Sequence, residues 1–453
     1  MVGNGASGCP SVKVTDRMTQ IAATAGYADQ FALLQKEAPL VGPLASLREE
    51  AFRCFSRLGF PTTRLESWRS TNISPITETA FVPSVDRADF SRETLDALRV
   101  SRLGGAELVF VNGAYVPALS STDGLPAGLR VRSLQKVVNN DPDTVAPYLG
   151  RLASVENKAF TALNTAFLQD GAVVEVAAGA LVSVPIHLVF ISLSDSVPTV
   201  NQSRVLVIAG AASQLQIVES HTGTGVTSYL NNSVTEVSVG DEAIVDHYTI
   251  VGEAESAFRV GSLHASLGRA SNFSAHAITV GGAIIRNEAN VVLGGEGGEC
   301  TLNGLYLASG RQLVDNQTTI EHAQPHCDSH ELYKGILDGQ SRAVFNGKIV
   351  VRLDAQKTDA KQSNKALLLS EDAQVTTKPQ LEIFADDVRC THGATVGQLD
   401  VDALFYLRSR ALSQQQARQV LIHAFAADLL SRIKVDAIRH QLDALLLERL
   451  PMG

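Results

Sequence analysis

A chain of 453 residues exceeds what one ordinary hydrophobic core organises and calls for two or three domains. Its 45% hydrophobic content excludes a disordered polymer. With 38 basic against 47 acidic side chains the net charge is −9, so neither nucleic acid nor an anionic membrane is expected as the main partner, since both call for basic patches.

Continuous apolar runs such as 205–212 fall well short of the ~18 residues a membrane span needs. Residues 1–12 carry no basic segment leading into an apolar one, so no secretory signal is expected. Cys9, Cys54, Cys300, Cys327 and Cys390 are odd in number and scattered, and there is no CxxC pair of the zinc type. A disulfide framework is therefore not expected, and a reducing compartment fits, the cytoplasm or a plastid stroma.

From residue 16 to about 58 the pattern is helical, with Phe31, Leu34, Leu44, Leu47, Ala51 and Phe55 at three-to-four spacing and Gly59 and Pro61 as stop signals. Arg64-Leu65-Glu66-Ser67-Trp68-Arg69 carries the chain's one tryptophan, either as an interface anchor or as a cap on an N-terminal domain. The run 108–116 reads as a hairpin around Asn112-Gly113, a dipeptide that accepts positive φ at both turn positions. Helical spacing returns at 152–167. Residues 1–170 thus form a mostly helical N-terminal domain with a β-hairpin near 107–117.

Between 171 and 399 the texture is β throughout, with Val, Ile, Leu and Thr alternating with polar residues and glycine dense. A weak repeat opens successive strands at Gly210, Gly240, Gly268, Gly297, Gly339 and Ser370, in steps of 30, 28, 29, 42 and 31 residues. Repeats of this length suggest a solenoid whose coils bury their inward face only by stacking. A jelly roll or other sandwich remains the alternative. Residues 400–453 are helical again: Ser413-Gln414-Gln415-Gln416 is a capping box. One apolar stripe runs Val420, Leu421, Ala424, Phe425, Leu429, and a second Ile438, Leu442, Leu445, Leu446, Leu450. This predicts a two-helix hairpin docked on the solenoid end or on a partner.

Cys390 and His392 stand two apart in an extended segment, so both side chains leave one face with Cα atoms roughly 6.5–7 Å apart. A thiolate and an imidazole so placed can approach one soft metal centre. A buried cysteine and a hydrogen-bonded histidine account for the spacing equally, and two donors fall short of four, so a metal here requires ligands from another chain. His322, His326, Cys327 and His330 look metal-rich, but on an extended chain they are too far apart to share an ion unless Pro325 turns it sharply. His221, His247, His264 and His276 sit singly in alternating segments and read as structural. Asn303, Asn316, Thr318 and Asn346 read as inward-facing ladders. Phosphate-loop, nucleophile-elbow and HExxH motifs are missing, and nothing assembles an acid–base pair with a nucleophile.

Several words are distinctive together: Pro325-His326-Cys327-Asp328-Ser329, Tyr333-Lys334-Gly335-Ile336-Leu337, Phe345-Asn346-Gly347-Lys348-Ile349, Gln356-Lys357-Thr358-Asp359-Ala360, Gln362-Ser363-Asn364, Pro379-Gln380-Leu381-Glu382-Ile383, Asp386-Asp387-Val388-Arg389-Cys390-Thr391-His392-Gly393-Ala394-Thr395 and Phe405-Tyr406-Leu407-Arg408-Ser409-Arg410. With them the chain resembles the SufB/SufD family, the scaffold proteins of the Suf iron–sulfur cluster assembly system. The resemblance is dense over 320–430, looser before that, and includes Pro61 and Glu66-Ser67-Trp68-Arg69 with Thr71. Gly393 stands where the SufB branch carries an acid, and the long, cysteine-bearing N-terminal region of that branch is missing, so the chain is similar to the SufD branch.

The resemblance implies a mainly β fold, a right-handed parallel β-helix (solenoid) core flanked by N-terminal and C-terminal α-helical domains. It implies a non-catalytic scaffold in a complex with SufB and two copies of the ABC-type ATPase SufC, and a transient Fe–S cluster shared with SufB. His392 matches the family histidine that helps hold the nascent cluster, and Cys390 a cysteine of weaker claim. Around 405–430 lies the region SufC grips, giving Phe405, Tyr406, Arg408, Arg410 and Phe425 as contact candidates. His326, Cys327, Tyr333 and Lys334 are structural-motif residues, and substitution of His326 is expected to act on folding. Reduced flavin (FAD) is implied in the complex, with no residue of this chain assigned to it. A homodimer of the isolated chain is a further expectation. The competing readings are a SufB-like subunit and a β-solenoid carbohydrate-active enzyme; the latter wants a charged groove ladder and a secretion signal, and neither is evident.

Overall fold

In the computed structural model, which describes residues 14–40, 42–84, 90–98 and 102–449, the alternating region winds into a solenoid. From Gly171–Val176 to Arg389–Gly397, strands adjacent in sequence fall into opposite sheets, and each pairs in parallel with the strands one coil away. Sheet one carries Ile186–Ser194, Gln214–Gly225, Ile244–Gly252, Asn272–Thr279, Glu299–Ala308, Asp328–Leu337, Asp359–Leu368 and Arg389–Gly397. Sheet two carries Gly171–Val176, Thr199–Ala209, Tyr229–Val239, Phe258–Leu267, Ile284–Leu293, Leu313–His322, Arg342–Val351 and Gln374–Ile383. A sandwich would pair its strands antiparallel, so the solenoid is the fold. Its interior interleaves Leu215, Ile217, Val245, Phe273, Cys300 and Leu302 with Val205, Val207, Val237, Leu267, Val291 and Ile320.

One corner of every coil but the last is built alike. Gly179, Ala212, Glu242, Ala270, Gly297, His326 and Lys357 all adopt positive φ, between 52° and 72°. Each donates its backbone N–H to a carbonyl in the corner of the next coil, for example Ala212 to Asp241 at 2.7 Å and His326 to Gln356 at 2.9 Å. The irregular 42-residue step has a geometric origin. The corners at Gly210, Gly240, Gly268 and Gly297 lead into sheet one, whereas Gly339 and Ser370 lead into sheet two on the opposite edge, so that step spans one and a half coils.

The two ends differ. At the first coil, Glu107–Val111 and its antiparallel partner Ala114–Tyr115 extend sheet one, and Leu129–Ser133 closes sheet two against Gly171–Val176. Asn112 and Gly113 take the positive φ that the hairpin reading requires. At the other end, Gln374–Ile383 and Arg389–Gly397 are the terminal strands of their sheets and are largely exposed.

The helices Val14–Glu37, Gly42–Leu58 and Ala159–Ala166 lie over the outer face of sheet two, the last starting later than its spacing predicts. Phe31, Leu34, Ala51, Phe55 and Phe167 pack there with Leu230, Phe258 and Val260. Trp68 is neither a free interface anchor nor a mere cap. It is buried between Phe160 and Arg286, whose guanidinium lies 3.7 Å from the ring. Arg286 also donates to the Ser67 carbonyl at 2.9 Å and pairs with Asp315, which accepts from Thr71 at 2.6 Å. Trp68 therefore joins the N-terminal segment to the sheet. Residues 1–12 with Cys9, and Leu450, lie outside the described residues.

Three C-terminal helices, not two, follow the last coil: Val401–Ser409, Gln414–Leu430 and Asp436–Arg449. The second has the Ser413–Gln416 capping box. The second and third dock on the outer side of sheet one rather than on the solenoid end: Ile422, Ala426, Leu429, Ile438, Leu442 and Leu446 meet Tyr248, Ile250, Ile278, Leu305, Leu332 and Ile336. The buried face of the second helix is thus rotated from the predicted stripe. Val420 and Ala424 are exposed, and Leu421 and Phe425 half-buried. The small Ala426 lets the backbone approach the sheet, where buried Lys334 donates Nζ to the Phe425 carbonyl at 2.6 Å, pairs with Asp428 and sits over the Phe425 ring.

Two outcomes follow from this packing. His326 is exposed and Ala212 and Ala270 hold equivalent corners, so, against the expectation above, His326→Ala should leave the melting temperature nearly unchanged. Relief of left-handed strain should make His326→Gly more stable by about 1 kcal/mol in thermal unfolding, and a loss of stability would show that the imidazole itself is needed. Lys334→Met should cost about 1–3 kcal/mol and speed amide exchange within Gln414–Leu430, whereas unchanged exchange there would show that the bond does not hold the helix.

Candidate functional site

The last coil is where the cysteine–histidine pair lies, and the register decides where it points. Ala360, Gln362, Asn364 and Ala366 are buried on the inward face of Asp359–Leu368, and they pair with Cys390, His392, Ala394 and Val396 of Arg389–Gly397. Cys390 and His392 therefore share the inward face, as their spacing predicts. With no further coil stacked above, His392 is exposed and Cys390 half-buried against Ile349, Val351, Ala360 and Ala385. Burial, with a smaller contribution from the Asp359 carboxylate, pushes the Cys390 thiol up, so a metal there must displace its proton. Among the described residues, no three His, Cys, Asp or Glu side chains are grouped to hold a metal ion. The pair is half a donor set.

Directly below His392 the inward face holds two polar residues to which the sequence reading gave no role, although Gln362 stands in one of the distinctive words. Gln362 is buried and donates Nε2 to Glu331 Oε2 at 2.7 Å, and Glu331 lies one coil deeper. Burial pushes the Glu331 carboxyl up to about 7, against the hydrogen bonds from Thr318 and Gln362. Their signal in the sequence was parity: both fall at inward positions, where a solenoid core expects apolar side chains.

The other metal-rich stretch does turn at Pro325, but the turn does not gather its ligands. His322 is buried with Nε2 2.9 Å from Ser329 Oγ, His326 and His330 are exposed, and Cys327 is buried near the Gly295 carbonyl. Of the single histidines, His247 and His221 share the buried Glu219 carboxylate, and His276 stacks on Tyr248. Burial holds His221, His276 and His322 down to about 4 and His264 to about 3, so all four are neutral. The predicted Asn/Thr ladder divides between faces. Asn316 and Thr318 point inward, whereas Asn303 points out to His276 and Arg432, and Asn346 out to Gln317. Both sheet faces are covered by something, and alternation cannot tell which covering is polar.

The Tyr333-Lys334-Gly335 word has a packing explanation. Tyr333 lies over Gly304 and Tyr306 over Gly335 in the neighbouring coil, and a Cβ on either glycine would stand 2.2 Å from a ring. Cys327 and Tyr333 are thus interior residues, and Lys334 is the helix anchor. The helix Val401–Ser409 differs from both: it buries no residue and exposes Val401, Phe405 and Tyr406 at 75%, 74% and 57%. Arg408 and Arg410 are exposed beside them, the latter over the Tyr406 ring.

No helix of the described residues is long and apolar enough to cross a membrane. The family profile for the SUF system FeS cluster assembly, SufBD core domain, matches residues 190–425, and that for the SufBD protein N-terminal region matches 23–188. The chain is 33% identical to an iron–sulfur cluster assembly SufBD family protein of Synechocystis, over 95% of this chain and 97% of that one. It is 32% identical to the iron–sulfur cluster assembly protein SufD of Escherichia coli, over 88% of this chain and 91% of that one. It is 26% identical to the chloroplastic protein ABCI7 of Arabidopsis thaliana, over 95% and 93%. With matches running from the N-terminal helices through the solenoid into the C-terminal helices, the chain belongs to the SufBD family of iron–sulfur cluster assembly proteins and is SufD-like within it.

Proposed function

We propose that this chain is a non-catalytic scaffold that completes an iron–sulfur assembly site with a SufB-type subunit and is worked by a SufC-type ATPase. The supporting observation is the asymmetry of the solenoid: one end is closed by a hairpin and an antiparallel strand, while the other presents unpaired edges with His392 exposed on the inward face. Such edges are templates for another chain. A SufB-type solenoid stacked there would extend both sheets and cover His392, and a second copy of this chain could take that place when it is isolated.

The nascent cluster is cargo rather than a resident group. His392, as neutral imidazole, would supply one nitrogen to iron, complementing thiolates of the partner, and Cys390 would add a sulfur after losing its proton. Helix Val401–Ser409, with its exposed Phe405 and Tyr406, is the proposed ATPase grip, with Arg408 and Arg410 beside them and Phe425 a further candidate on the helix Gln414–Leu430. Nucleotide-driven ATPase dimerisation would then pull on the helices and strain the shared edge. Reduced flavin is implied for the complex only, and no residue of this chain is assigned to it.

Reconstituted with its partners, His392→Ala should load several-fold less iron and sulfide than wild type, and equal loading would remove His392 from the site. Phe405→Ser should weaken ATPase binding tenfold or more, about 1.4 kcal/mol or above, without changing the melting temperature of the isolated chain. Undiminished ATPase co-purification would place the grip elsewhere.

A further inference from the structure

Most of the solenoid interior is apolar, yet the column beneath His392 is not. The register stacks Leu302, Glu331, Gln362 and His392 in successive coils, about 4.8 Å apart. The adjacent column, Cys300, Ser329, Ala360 and Cys390, carries no comparable hydrogen-bonding chain. Gln362 is 3% exposed. Its Nε2 is committed to Glu331, while its Oε1 is buried without a partner. An orphaned buried acceptor loses its hydration without replacement, so a donor brought within reach is favoured.

The opposite wall accommodates this amide. Gly347 faces it, and a Cβ there would stand 2.2 Å from Gln362 Nε2. With Nε2 held by the carboxylate below, Oε1 is the amide atom left for the coil above, and the residue in that coil is His392, whose ring carries an N–H.

We infer that Gln362, oriented by Glu331, is a positioning residue for His392: its Oε1 accepts the ring N–H when the imidazole turns inward, fixing one tautomer. The other ring nitrogen then keeps its lone pair for a metal, the usual division of labour in ligating histidines, where the second nitrogen is tied to a protein acceptor. The part concerning metal rests on the proposed role of His392; the hydrogen bond itself does not.

The test uses the metal-free full-length chain labelled with 15N-histidine, the His392 signals being identified by their loss in His392→Ala. The expected result is a single neutral tautomer in wild type and a mixture, as in a free imidazole, in Gln362→Met, which keeps similar volume without an acceptor. Gly347→Ala presses on the amide without removing a polar group and should shift the tautomer balance the same way; it decides the matter if Gln362→Met does not fold. A tautomer mixture already present in wild type, or signals unchanged in the folded variants, would overturn the inference. Because no metal is present, the outcome is separable from the functional reading: a tautomer change together with undiminished iron loading by His392→Ala would retain the hydrogen bond and remove the metal role.

Discussion

The constraint on which everything else depends is that each coil is held by the coils on either side of it. Strand backbones pair in parallel with the strands one coil away, and the left-handed corners hydrogen-bond to one another along one edge. An isolated coil would bury neither its apolar face nor its backbone polar groups, so stability is a nearest-neighbour property. The first coil is supplied with a neighbour by the hairpin and by Leu129–Ser133. The last has a neighbour on one side only, and its inward residues are consequently the exposed ones. The candidate site is exposed because the repeat stops there.

Around this stack, buried charges fix how the flanking segments attach. Arg204, fully buried, binds Glu236 and also Asn164 and Thr165 of the helix Ala159–Ala166. Glu236 in turn accepts the backbone N–H groups of Gly150, Leu152 and Ala153. Arg286 and Asp315 do the same for the segment around Trp68 and Thr71. Breaking one partner of such a pair leaves an uncompensated buried charge, which costs about 3–5 kcal/mol. These pairs specify where the helices sit, whereas the apolar contacts between them are compatible with several placements. At the C-terminal helices Lys334 has the same role, and it explains why the buried face is not the most hydrophobic stripe.

How much was legible depended on how local the information is. The Asn112-Gly113 hairpin and the Ser413–Gln416 capping box are written in a few adjacent residues and were read correctly. The shared face of Cys390 and His392 follows from two-residue periodicity and holds. The polar ladder was misread because alternation assigns residues to two faces without saying which face is covered by helix, by core or by solvent. Trp68 admitted two readings because Arg286 and Phe160 are distant in the chain. Glu331 and Gln362 were given no role because nothing in a single strand reveals that successive coils stack them beneath His392.

By itself the sequence determined the family and favoured a solenoid over a sandwich, since distinctive words, turn chemistry and periodicity are all carried by neighbouring residues. Tertiary structure decided the rest: which edge each corner lies on, which helix face is buried, and that His392 stands exposed above an unpartnered amide oxygen. Those depend on the register between coils roughly thirty residues apart, and register is a property of the stacked chain, set by hydrogen bonds that no single segment can make.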